Sequence, residues 1–180
     1  MDYRKYGETF YIRADRGDEV IGCILDVCRK EGIMSATFGG IGGCSEARIQ
    51  TFIPEAGAFE TQTLRGMLEL VSLTGNVVTD DDGVHYHHTH AVFSYKDGER
   101  HLLAAGHIQS ITVLYTAEIE LRPVVGGTIK RKYNPETGTG FWDLRYGMER
   151  RRPERRGLPA AARGRYAGLD EAGPCRADKS

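Results

Sequence analysis

Val84 to Tyr95 reads VHYHHTHAVFSY and runs directly into Lys96-Asp97-Gly98. The run is dense in aromatic and β-branched residues, alternates in polarity, and meets a glycine-bearing turn, so it predicts a β-strand entering a hairpin. Beyond that turn, Ile111 to Leu121 (ITVLYTAEIEL) is again β-branched and alternating, and Pro123 stops it. Before it, Asp80-Asp81-Asp82-Gly83 is a turn, and Leu64 to Val78 (LRGMLELVSLTGNVV) alternates through Met67, Leu68, Glu69, Leu70, Val71, Ser72 and Leu73. That segment predicts a strand ending in a turn at Gly75-Asn76. Ser35 to Phe52 (SATFGGIGGCSEARIQTF) holds two Gly-Gly pairs, which predict two strands joined at a bend where backbone approaches backbone. Those glycines have neither the GxGxxG spacing nor the lysine of a phosphate-cradling loop.

Nearer the amino terminus, Glu8 to Arg13 (ETFYIR) predicts a short first strand. Asp15-Arg16-Gly17-Asp18 then offers N-cap oxygens to an amphipathic helix with Val20, Ile21, Ile24, Leu25 and Cys28 on its apolar stripe and Gly32 as its C′ residue. After Gly126-Gly127 the sequence predicts one more short strand, a Pro135-Glu136-Thr137-Gly138 turn, and Trp142 packing back onto the body. A strand, a helix, then closely spaced strands argue for an α+β fold with a largely antiparallel sheet rather than a doubly wound one.

Length and composition agree with a single domain. The chain has 180 residues, 40% hydrophobic and 27% charged, which suits one globular domain, taken as residues 1–142, and a tail, 143–180. No stretch approaches the roughly 18 consecutive apolar residues of a membrane helix. Met1 to Gly7 lacks the apolar run of a secretory signal, so a cytoplasmic protein is expected. Cys23, Cys28, Cys44 and Cys175 form no CxxC pair and read as small buried hydrophobes rather than a zinc knuckle or redox dithiol. Net charge is −1, but residues 141–165 carry eight basic side chains against three acidic ones, so the body is mildly acidic and the tail arginine-rich. Without apolar periodicity, that tail reads as a flexible or partly helical appendage.

Histidine carries the chemistry. On an extended strand His88 and His90 share one face, with β-carbons about 6–7 Å apart, while His85 and His87 face the other way. Two imidazoles at i and i+2 can reach one ion, and a neighbouring strand must supply the third. His107, after Ala104-Ala105-Gly106, is the natural supplier if the Lys96-Asp97-Gly98 hairpin brings it alongside, although the two arms look unequal in length. Three neutral imidazoles with an open position suit zinc (Zn2+), with copper, nickel or iron as alternatives on ligand type. His85, His87 and His101 are assigned to a solvated face with no special role.

Several segments together resemble the plants-and-prokaryotes-conserved (PPC) domain family, which also forms the body of plant AT-hook nuclear-localised proteins. Gly66, Glu69, Ser72, Leu73 and Gly75 resemble its Gly-x-x-Glu-apolar-apolar-Ser-Leu-x-Gly stretch, and His88-Thr89-His90-Ala91 resembles its His-x-His-Ala strand. Gly106-His107-Ile108 is similar to its Gly-His-Leu, Thr116-Ala117-Glu118-Ile119 to its Thr-Ala-Glu-Val, and Phe38-Gly39-Gly40-Ile41-Gly42 to its early Gly-x-Gly bend. The likeness covers roughly residues 8–140. It implies a compact antiparallel sheet flanked by helices, a homotrimer, a metal held by His88, His90 and His107, and a link to DNA and transcription. The plant Arg-Gly-Arg-Pro hook is met only by Arg163-Gly164-Arg165-Tyr166, which lacks the proline.

Three functions follow as expectations. In a DNA-associated regulator, Arg150, Arg151, Arg152, Arg155, Arg156, Arg163 and Arg165 would contact phosphates. In a metal-dependent enzyme, Glu118 or Glu69 would act as general base, unless either orients a histidine instead. In a small-ligand sensor, the same histidine site would take the ligand.

Overall fold

The computed structural model describes residues 1–136 and 139–144. Eight strands and one helix follow in the order β1 (Asp2–Tyr6), β2 (Thr9–Asp15), α1 (Val20–Glu31), β3 (Ser35–Ile53), β4 (Ala58–Thr79), β5 (His85–Asp97), β6 (Arg100–Pro123), β7 (Lys130–Asn134) and β8 (Thr139–Asp143). The helices expected on the sheet's flanks reduce, among the described residues, to α1 alone; the fold is mostly β.

All eight strands belong to one sheet. β3 pairs with β4 and β6, β4 with β5, and β5 with β6, every pair antiparallel, so these four long strands close a hydrogen-bonded circuit. The β1–β2 hairpin extends the sheet from β6, and the β7–β8 hairpin attaches to β4 through a parallel contact of Thr79 with Lys130. Inward-facing side chains of the long strands, including Leu68, Leu70, Phe93, Ile108, Ile111 and Leu121, form the core. The predicted apolar stripe of α1, Val20, Ile21, Ile24, Leu25 and Cys28, is buried against it.

Beyond an unforeseen strand, β1, ahead of the expected first one, and two strands rather than one after Gly126-Gly127, three details differ from the sequence reading. Ser35 to Ile53 is one bent strand, not two, with register shifts at Gly40/Gly42 and Cys44/Glu46 taking up the bend. The glycines do serve close approach: a β-carbon on Gly40 would lie 2.5 Å from the Glu118 carbonyl oxygen, and one on Gly42 2.6 Å from that of Thr116. Gly75-Asn76 is not a turn, because β4 continues to Thr79. Gly75 is there because Phe38 occupies the space its side chain would need.

Third, α1 is capped by Glu19, not by an aspartate. Its carboxylate accepts from the N–H groups of Ile21 (3.2 Å) and Gly22 (2.5 Å) and, across to β6, from Ile111 N–H (3.0 Å). Gly32 ends the helix in the left-handed region at φ 65°, as predicted. Asp18 instead binds the Asp15 N–H and the terminal ammonium of Met1.

Candidate metal centre

β5 alternates as its sequence demands. Thr89, Ala91 and Phe93 are buried, while His88 and His90 stand on the outer face. Register brings in the third histidine: the turn at Gly98 is tight, Asp97 pairs with Arg100, and His90 lies directly across from His107. The arms of the hairpin are therefore equal, and their apparent inequality in the sequence is corrected.

The three imidazoles converge. Ring centroids are 5.2 Å apart for His88–His90, 5.3 Å for His88–His107 and 5.4 Å for His90–His107, and one nitrogen from each lies within 4.8 Å of the others. His88 Nε2 and His90 Nε2 are 3.3 Å apart. Two ligands on a tetrahedral zinc, each about 2.0–2.1 Å from the ion, sit about 3.3–3.4 Å from each other. The pair is thus already spaced as co-ligands would be.

Electrostatics favours the neutral, metal-ready form. Burial, then repulsion from His88, His90 and His87, pushes His107 down to about 4, and burial followed by His90 lowers His88. In His88 and His107 a lone pair is thus available at neutral pH without a proton to displace.

A further residue lies across the ladder from this cluster and escaped the sequence reading. Gln50 on β3 is the cross-strand partner of His107 on one side and Thr61 on the other. Its amide nitrogen donates to Thr61 Oγ1 at 3.3 Å, whereas its Oε1 is buried with no hydrogen-bond partner among the described residues. An unpartnered buried amide oxygen on the residue opposite a histidine is a candidate acceptor for that ring's second N–H once the first nitrogen binds a metal. No motif marks Gln50; only the register of β3 against β6 reveals it.

The other predicted groups fall elsewhere. Glu118 lines a separate cavity of about 770 Å³ with Tyr11, Arg13, Ile41 and Val71. Glu69 pairs across the sheet with Gly43 and Ser94. The carboxylate lining the cavity beside His88 and His90 is that of Glu120, which pairs with Arg122. His85 and His87 are not on a solvated face: His85 Nε2–H donates to the Ile33 carbonyl at 2.8 Å, and His87, bonded to Thr89 Oγ1 at 3.0 Å, is pushed down to about 4 by burial and then by His88. The alternation was read correctly, but the face it turns them to is the interior. His101 is exposed. Arg150, Arg151, Arg152, Arg155, Arg156, Arg163 and Arg165 lie outside the described residues.

Comparison with known proteins gives a consistent picture. The family model of the Plants and Prokaryotes Conserved (PCC) domain matches residues 1–125. Among solved structures, a plant- and prokaryote-conserved (PPC) protein of Pyrococcus horikoshii is 32% identical with a TM-score of 0.67, covering 79% of this chain and 94% of its own. A "putative DNA binding protein" from Bacteroides thetaiotaomicron is 26% identical with a TM-score of 0.72 over 79% of this chain and 96% of its own. The metal-containing protein AF0104 of Archaeoglobus fulgidus is 28% identical with a TM-score of 0.66 over 79% and 98%. No curated protein matches the chain.

Proposed function

Because the chain belongs to the Plants and Prokaryotes Conserved domain family, we propose that it is a DNA-associated regulatory protein whose body holds a divalent transition metal, zinc first, on His88, His90 and His107. The observation that carries the metal is the 3.3 Å separation of the His88 and His90 Nε2 atoms with His107 directly across the ladder from His90. The metal-containing Archaeoglobus neighbour supports the same reading. Bound there, the ion supplies a Lewis-acidic centre with one position left for a ligand. Imidazole-only ligation suits zinc, copper or nickel better than calcium or magnesium, which take oxygen donors.

The DNA link is supported by two things: the kind of neighbours the fold has, and a tail whose seven named arginines could neutralise phosphates without reading sequence. Residues 1–142 form the folded body in this reading and 143–180 the arm. Assembly as a homotrimer is part of the proposal, supported by apolar side chains left exposed on the sheet, among them Ile41, Val71 and Tyr115. A cytoplasmic setting fits the free, buried thiols of Cys28 and Cys44. Among the described residues, no helix is long and apolar enough to cross a membrane.

Elemental analysis of the purified full-length protein tests the metal. Close to one zinc per chain is expected, with most of it lost in His90→Ala and retained in His101→Ala. Equal metal content in the two variants would show that the ion sits elsewhere.

A further inference from the structure

Past residue 125, where the family match ends, the described chain adds one element, the β7–β8 hairpin. It is tied to the sheet at its base: Ile129 N–H donates to Ser35 Oγ at 3.1 Å and Lys130 Nζ to the Asp80 carbonyl at 3.1 Å. Its second strand carries Trp142, the only tryptophan in the chain. The indole Nε1–H donates to Asn76 Oδ1 at 3.1 Å, and Asn76 is the cross-strand partner of His88. One hydrogen bond therefore fixes an aromatic plane next to the histidine cluster.

Trp142, His88 and His90 line a single cavity of about 540 Å³, with Arg122 and Glu120 on another part of its wall. That volume lies within the roughly 300–1,000 Å³ of small-molecule sites. The wall combines features that a stability role does not require: two prospective metal ligands, an aromatic plane half open to solvent, and a guanidinium. Arg122 gives one N–H to Glu120 and keeps others, since the group has five donors. Gly39 and Gly75 contribute backbone to the lining, with the Phe38 ring packed against Gly75.

We propose that this cavity binds a small aromatic carboxylate, its carboxylate on the metal's open position and toward Arg122, its ring against the Trp142 indole. The inference rests on the three-histidine metal reading and adds the ligand to it. The charge of the ion selects an anion, Arg122 adds N–H donors although Glu120 offsets its charge, and the indole selects a flat apolar body over a merely small one. Asn76, itself on the cavity wall, holds the indole through its Oδ1. The hairpin that carries Trp142 lies past the residues the family model matches, so that match by itself says nothing of this pocket.

The test uses full-length, zinc-loaded protein whose metal content has been measured, titrated with benzoate, cyclohexanecarboxylate and acetate by calorimetry and, in the wild type, by Trp142 fluorescence. Benzoate is expected to shift the fluorescence and to bind about tenfold more tightly than acetate, the scale of one aromatic contact. Trp142→Ala should erase that preference, Trp142→Phe should keep it, and His90→Ala should abolish binding of all three. Equal affinities for the three acids, or a benzoate preference that survives Trp142→Ala, overturns the proposal while leaving the metal reading intact if zinc is present. Wild-type protein that holds no zinc removes both.

Discussion

Gln50 and His107 are cross-strand partners on β3 and β6, and the fate of the buried, unpartnered Gln50 oxygen has a measurable consequence. If Gln50 Oε1 accepts the ring N–H of a metal-bound His107, Gln50→Leu should weaken zinc about 10–100-fold, the usual cost of losing such an orienting partner. Gln50→Glu, which keeps an acceptor, should retain most of the affinity. Competition against a chromogenic chelator reads both, and unchanged affinity in Gln50→Leu would show that the oxygen does not orient the ligand. His87 sets a different test, because its pKa falls from 6.5 to about 4 mainly through burial. The unfolded chain binds that proton more readily than the folded one, so stability is unaffected above about pH 6.5 and is lost as pH falls toward about 4. At 1.36 kcal/mol per pKa unit the loss from this one group is at most about 3 kcal/mol. Urea unfolding of metal-free protein at pH 7 and pH 4.5 should show the drop, and His87→Leu should make it shallower, with His107 and His88 supplying what remains. A wild-type curve no steeper than the variant's would remove His87 as the cause.

β4 shows how a single element ties fold to site. At Gly75 the strand passes between the Phe38 ring and the His88 carbonyl oxygen, which would lie 2.6 Å from an added β-carbon. Gly75→Ala is therefore expected to cost about 1–3 kcal/mol through overpacking. It should also weaken zinc binding, because the displaced backbone carries His88. Gly127→Ala, where nothing lies within 4 Å, is the control. Thermal unfolding of the two variants decides it: equal melting temperatures would mean that β4 tolerates the extra atom. The sequence shows Gly75-Asn76 only as a break in an apolar pattern, and such a break reads as a turn, since the clash that demands glycine comes from Phe38, 37 positions earlier. The same limit hid the Glu19 cap, whose third partner is Ile111 on β6. What was legible in the sequence was local. The stripe of α1 shows in its spacing of three and four, the Gly98 hairpin in its turn residues, and the shared face of His88 and His90 in strand alternation. The partners that long-range register supplies, Gln50 for His107 and Asn76 for Trp142, left no local trace.

At the scale of the whole molecule the question is how an acidic body and a basic arm divide the work. The described sheet leaves Ile41 57% and Tyr115 68% exposed, more apolar surface than its own contacts use, while the arginine-rich residues follow it in the chain. If the body assembles and the arms bind, removing the arm must separate the two properties. A chain ending at Leu144 should keep the trimer and the zinc of the full-length protein, both readable in one native-mass measurement. It should lose retardation of generic duplex DNA. For the full-length protein, log K should fall with log salt by about 0.9 for each phosphate neutralised. In the proposed trimer, three tethered arms would make individually weak contacts effective together, because once one arm is bound the others act at high local concentration. A truncated chain that retards DNA as well as the whole protein would move the contact to the body, where no basic groove has been described. A trimer lost on truncation would instead make the tail part of the assembly, since the exposed apolar face alone would then be insufficient to hold three copies together.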